Sequence, residues 1–272
     1  MVNITTLEDR IAFCAWFVIA LLSMLANGFA IYLLTTKRKR KKADMLLLHL
    51  CIAEFFGVAW NVILRPLNMV YSIKYISIAN NIGNQILGAL YYQSIIWISL
   101  DRLLAAALSL KYKVLVTKGR MLMIAMIVWL FSIICAIISG IKPSLNFFIW
   151  MFWSTITTAS ILISYSYILI VLYRQKHRFR RNSFIRIGNQ RFNYEVLLCI
   201  TLSYIVTMFI PDMVIVIDKE LYTVWILVIW YTNHLIDPLI YVFFRIYYNK
   251  RSPRQLPVLS RSSNLATITT KF

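Results

Sequence analysis

Asn233-His-Leu-Ile-Asp-Pro-Leu-Ile-Tyr241 sets a carboxylate (Asp237), an imidazole (His234) and a proline (Pro238) inside an apolar run from about Leu221 to Phe244. A charge in hydrocarbon is costly, and a proline removes a helix hydrogen bond. A segment that only anchors a chain has use for neither. Two readings remain: polar residues that glue helices together, or a working site within the membrane.

The rest of the chain extends the membrane reading. Of its 272 residues 60% are hydrophobic, 7 are glycine, and the mean hydropathy is +0.71, a composition well beyond that of a soluble domain. Apolar runs lie at roughly Ile11–Leu34, Ala43–Pro66, Ala79–Leu110, Met121–Gly140, Asn146–Tyr173, Phe192–Ile217 and Leu221–Phe244. Each reaches the roughly 20 residues that a bilayer demands. The fold expected is all-α, a seven-transmembrane helix bundle. Residues 1–10 form an extracellular head, 11–245 the bundle, and 246–272 a short amphipathic eighth helix and a polar, disordered cytoplasmic tail.

Charge orients the bundle. Only Arg10, Arg65, Lys74, Lys142 and Lys219 of the 29 Lys and Arg fall on the amino-terminal side, leaving 24 for the other. The positive-inside rule then puts the amino terminus outside and the tail in the cytoplasm of a plasma-membrane protein. The net charge of +19 reads as topology and attraction to anionic lipid, not as nucleic-acid binding. Asn3-Ile4-Thr5 is a glycosylation sequon on the outside. No cleavable signal peptide is evident. Cys14, Cys51, Cys135 and Cys199 all fall inside spans, where thiols behave as small hydrophobes and no extracellular disulfide forms.

Helical rise places the polar residues in depth. Glu54 lies roughly 17 Å from the inner boundary, Asn27 and Asp237 roughly 11–12 Å, and His234 about 15 Å. Independent polar residues would scatter, so Asn27, Glu54, His234 and Asp237 are expected to form one cluster. Two carboxylates at close range cannot both stay bare. A proton, a cation or His234 must neutralise one of them.

Elsewhere the third span ends in Asp101-Arg102-Leu103, either a mutually satisfied pair snorkelling at the interface or a docking point. Phe147–Trp153 is an aromatic belt or a pocket wall. Arg174–Arg191 carries seven basic residues and no acid, suited to anionic lipid or to a partner. Met208-Phe-Ile-Pro211-Asp212 is a proline kink. The tail offers Ser260, Ser262, Ser263, Thr267, Thr269 and Thr270 for phosphorylation, and Thr270-Lys-Phe272 for strand addition to a groove.

Asn27-Gly28, Glu54, Asp101-Arg102, Trp129, Pro211 and Asp237-Pro-Leu-Ile-Tyr241, in this order and spacing, resemble the rhodopsin-like (class A) G-protein-coupled receptors. The resemblance runs over Ile11–Tyr248. It implies that Arg102 meets a heterotrimeric G protein, that Asp101 is its resting partner, and that Tyr165 and Tyr241 are switch tyrosines. Arrestin is a further partner. The resemblance also makes Asn27, Glu54, Asn233 and Asp237 a mid-membrane site, with sodium at Glu54 and Asp237 as one occupant and a protonated carboxyl pair as the other. It points to Asn84, Gln85, Phe209, Asp212 and Tyr231 as the ligand pocket.

Departures from the family pattern are specific. Glu54 stands for an Asp, Tyr91 for a small hydroxyl, Leu103 for an aromatic, Arg191 for an acid (with Glu195 one turn on), and Phe209 for a tryptophan. They leave room for ligand-free activity. The missing outer disulfide, the short loop Ile141–Leu145, the fifth helix without proline and Leu110-Lys-Tyr112 are similar to the melanocortin, cannabinoid and adenosine branches. Asn84 and Tyr231 stand where amine receptors and opsins carry their ligand-binding Asp and Lys.

The function expected is transduction of an extracellular small-molecule, lipid or short-peptide signal, without covalent chemistry or cofactor. The rivals are a proton-linked transporter or channel built on Glu54, His234 and Asp237, and a receptor-like scavenger that does not couple. No internal repeat supports the transporter. No HExxH spacing or nucleophile elbow supports an enzyme.

Overall fold

The computed structural model describes residues 6–36, 42–71, 74–108, 112–178, 198–217 and 224–251. Asn3, most of the basic turn after the first helix, Arg191, Glu195 and the tail lie outside these residues. The described residues are helical, with no strand. In chain order they form α1 (Leu7–Thr35), α2 (Lys42–Tyr71), α3 (Lys74–Leu108), a single turn α4 (Tyr112–Leu115), α5 (Lys118–Ile141) and α6 (Asn146–Arg178). α7 (Leu198–Ile217) follows, and α8 (Val224–Arg251) completes the set.

Helix ends follow local chemistry. Thr6 caps α1 through a reciprocal box: its hydroxyl accepts from the Asp9 N–H at 3.1 Å, and Asp9 accepts from the Thr6 N–H at 3.2 Å. Such a box satisfies two donors that would otherwise be orphaned. Thr117 caps α5 in one direction only, its hydroxyl accepting from the Arg120 N–H at 3.3 Å. A 3₁₀ turn over Pro143–Leu145 joins α5 to α6, pinned by a hydrogen bond from Ser139 to Asn146.

Five helical stretches are long and apolar enough to cross a membrane: Leu7–Thr35, Asp44–Asn68, Asn146–Val171, Leu198–Ile217 and Trp225–Phe244. They give the chain the make-up of a multi-pass helical membrane protein. In α5 the apolar run is shorter, Met126–Gly140. α3 is too polar to qualify, and its packing gives the reason. It contacts α2, α5 and α6 and buries Asn80, Gln93, Ser94, Ser99 and Asp101. A helix enclosed by other helices can carry polar side chains that a lipid-facing one cannot. The exterior is the inverse: Leu25, Phe29, Ile127, Leu130, Leu162 and Leu169 are exposed, while Asn27, Glu54 and Gln93 are buried.

Register fixes the helix directions. His49 meets Ser94, and Trp60 meets Gly83, so eleven steps up α2 match eleven steps down α3. Ser154 bonds Asp212 and Tyr165 bonds Thr201, the same antiparallel step between α6 and α7. Close approach is bought by small residues: a methyl group on Gly83 would strike the Trp60 indole, and one on Gly140 would strike Ile82. Two features differ from expectation. A π-turn over Ile205–Phe209 interrupts α7 just ahead of Pro211. And α8 continues unbroken to Arg251, so among the described residues there is no separate eighth helix. The ring of Pro238 lies within α8 without ending it.

Candidate functional site

The five mid-membrane residues come together from three helices. Asn27 donates to the His234 carbonyl at 2.9 Å, tying α1 to α8. His234 Nδ1 lies 3.3 Å from Glu54 Oε1, tying α8 to α2. The carboxyls of Glu54 and Asp237 are within hydrogen-bonding reach of each other, and Asn27 reaches Glu54. Asn233 is the hub. Its amide donates to Tyr91 Oη on α3 and to Asp237 Oδ2 at 3.2 Å. Its oxygen accepts from Ser203 at 2.9 Å and lies 2.6 Å from the Thr207 hydroxyl, both on α7.

Three oxygens in this cluster remain open. Asn27 Oδ1, Glu54 Oε2 and Asp237 Oδ1 are buried without a hydrogen-bond donor among the described residues. A proton shared by the two carboxyls, or a small hard cation taken by all three oxygens, would satisfy them. All three open atoms are oxygens, a donor set that suits a hard, oxygen-seeking ion rather than a transition metal.

A cavity of about 490 Å³ opens above this cluster toward the amino-terminal end of the bundle. Glu54 and His234 line its floor. On α2 the lining positions Glu54, Val58, Asn61 and Arg65 recur at helical spacing and so share one face. On α3 Asn81, Asn84, Gly88 and Tyr91 do the same, and on α8 Leu227, Trp230, Tyr231 and His234. Asn84, Gln85 and Tyr231, expected in the pocket, line it.

Phe209 and Asp212 do not line it. Phe209 packs against the main apolar core. Asp212 is buried behind the wall, accepting from Ser154 Oγ at 2.7 Å, beside Tyr92 and Trp230. Met208 and Ile215 line the cavity from α7 instead. In this arrangement Asp212 links α6 to α7, and Phe209 packs against the core.

At the opposite end of α3, Asp101 is buried and pairs with Arg102. Tyr112 of α4 donates its phenol to the same carboxylate. Burial first, and then that contact, push the Tyr112 phenol well above the ordinary tyrosine range, keeping it a donor. Arg102 Nε is buried without a partner among the described residues. Tyr165 accepts from Thr201 at 2.8 Å, and Tyr241 is buried in the main core. Neither tyrosine bonds Arg102 in this arrangement, although Tyr165 is close enough to feel its charge.

No protein-family model and no curated protein sequence matches the chain.

A relay that the sequence did not bring forward joins three helices. Trp129 Nε1 can only donate, and it lies 3.1 Å from His49 Nε2. His49 Nδ1 must then carry the ring proton and donate to Ser94 Oγ at 2.7 Å. Ser94 in turn donates its hydroxyl to the Leu90 carbonyl at 2.7 Å. The available signal was His49 itself, a polar ring inside an apolar run, which is costly without a partner. Arg65 was visible only as one of a few amino-terminal-side cations. Its place in the cavity wall depends on helix phase and on Trp16, whose ring lies 5.5 Å beneath the guanidinium.

Proposed function

We propose that the chain is a receptor of the rhodopsin-like kind, which converts occupation of the amino-terminal-side cavity into activation of a heterotrimeric G protein. One observation carries this reading. The cavity floor is the Glu54–His234 contact, and the hub below it bonds α3, α7 and α8 to one another through Asn233. Any ligand that shifts the floor also shifts the relation of α7 to α3, whose far end holds Asp101 and Arg102. Two packings that differ at the hub can then be weighted by a ligand that favours one of them.

In this reading the bundle spans the plasma membrane seven times, with Asn3 glycosylated outside and the tail inside. Arg102, with its open Nε, is the coupling residue. Tyr165 and Tyr241 approach it when α7 moves outward, and arrestin competes for the same face. Apolar packing between the cluster and the inner end of α2, from Leu47, Leu50 and Cys51, favours a receptor over a continuous proton path.

The test is basal and stimulated activation of each main G-protein class in cells, comparing wild type with Arg102→Ala and Glu54→Ala at matched surface expression. A signal lost in Arg102→Ala supports coupling. A silent chain whose proton flux depends on Glu54 and Asp237 replaces the receptor with a transporter.

A further inference from the structure

We propose that the cavity binds a small organic anion, a carboxylate carried on a flat aromatic or similarly apolar body, with Arg65 as the residue that takes the carboxylate. The proposal rests on the receptor reading only in treating this cavity as the one a ligand fills.

Arg65 is the sole Lys or Arg among the lining residues described, and Glu54 is the sole acid. They stand eleven residues apart on one face of α2, roughly 16 Å at 1.5 Å per residue. At that separation they cannot neutralise each other by contact. The other acids described at this end are engaged elsewhere: Glu8 accepts from Trp225 at 3.1 Å, Asp9 caps α1 with Thr6, and Asp212 accepts from Ser154. Arg65 therefore faces the cavity with no carboxylate partner among the described residues.

Its guanidinium is held rather than loose. It rests over the Trp16 ring, and Trp16 packs edge-on against Tyr231 at 5.4 Å. A positioned, partly buried guanidinium without a counterion is unfavourable, and a carboxylate answers it with two parallel charge-assisted hydrogen bonds. Trp150 and Trp230, also in the lining, stand edge to face at 5.6 Å, a surface for a flat ring. Asn84 Oδ1 is buried in the wall without a donor, ready for an N–H or O–H on the ligand body. The volume fits a drug-sized molecule.

The probe series is 1-naphthaleneacetate, its uncharged amide and 1-(aminomethyl)naphthalene, bound to the purified full-length chain by equilibrium dialysis without G protein. The acid should bind at least about tenfold more tightly than the amide, the gain expected of one charge-assisted contact. Arg65→Gln should bring acid and amide to parity and leave amide affinity within about twofold. Arg65→Lys should keep part of the preference, since it retains the charge and loses the fork. Equal binding of acid and amide by wild type overturns the proposal, as does a preference that survives Arg65→Gln. Tighter binding of the amine would assign the anchor to Glu54, and binding of none of the three at about millimolar concentration would also end it. Absence of G-protein activation leaves these results standing, so the two readings fail separately.

Discussion

Replacing Asn233 by Ala should loosen the bundle at its hub. The side chain is buried and makes four polar contacts, with Tyr91, Asp237, Ser203 and Thr207. Hydrogen bonds between transmembrane helices average about 0.6 kcal/mol each and reach about 1.7. Three of the four cross between helices, and three average bonds give a loss of about 1.8 kcal/mol, which for a chain of this size lowers the thermal midpoint by roughly 4–7 °C. The molecule supplies its own reporter: Cys51 is buried and Cys14 exposed. With Cys14 and the half-buried Cys135 and Cys199 replaced by Ser, a thiol-reactive fluorophore would therefore follow unfolding through Cys51. The sharper test is a double-mutant cycle. Asn233→Ala and Thr207→Val share a hydrogen bond and should couple by about 0.6–1.7 kcal/mol. Asn233→Ala and Ser139→Ala share no partner and should add within about 0.5 kcal/mol. A fall of less than about 2 °C for Asn233→Ala would refute the hub, as would equal coupling in the two cycles.

Two further outcomes follow from the same geometry. His49→Leu should destabilise by about 1–3 kcal/mol, because it removes both the acceptor of the Trp129 N–H and the donor to the buried Ser94 hydroxyl, and adding Trp129→Phe to that variant should cost little more; two full, independent losses in the same unfolding assay would disprove the relay. Tyr112 has its folded pKa raised above the usual phenol value of about 10. Its contribution is therefore complete below that value and lost only as pH climbs above it. The difference in thermal midpoint between wild type and Tyr112→Phe should stay level from about pH 6 to 9 and shrink above about 10; a difference that changes between pH 6 and 9 would contradict the Asp101 contact.

Much of the architecture could be read from the chain because membrane helices obey two blunt constraints, length and apolarity. Runs such as Ile11–Leu34 and Leu221–Phe244 correspond closely to α1 and α8. α3 strained that logic. Its polar side chains are tolerable only because α2, α5 and α6 enclose it, a fact of packing that no window along one helix contains. The grouping of Asn27, Glu54, His234 and Asp237 was legible for a different reason: depth is nearly linear in residue number along a helix, so residues at one depth can be matched across helices before their neighbours are known. What depth cannot provide is azimuth. Ser203, Thr207 and Tyr91 complete the hub because of the direction in which each helix faces, and Trp16 holds Arg65 for the same reason.

Azimuth also accounts for Phe209 and Asp212. Matching positions to the receptor family assumes an unbroken α-helix, in which each residue turns about 100°. The π-turn over Ile205–Phe209 holds one more residue per turn than that count allows, with the Ile210 N–H reaching back to the Ile205 carbonyl. Its position has a physical cause. Pro211 brings no N–H to the helix, and a wider turn just ahead of it rearranges the carbonyls that would otherwise be left facing its ring. The face presented to the cavity therefore shifts by about one residue, from Phe209 to Met208. Asp212 stays on the buried side but behind Tyr92 and Trp230, where Ser154 can reach it. A kink of this kind is where a helix bends at least cost. Both ends of the site depend on it, since Thr207 inside the turn touches Asn233 while Asp212 just beyond it holds α6. Outward movement of the amino-terminal half of α7 would pivot at this turn, stretching the Ser203 and Thr207 contacts first and leaving the Ser154–Asp212 bond intact.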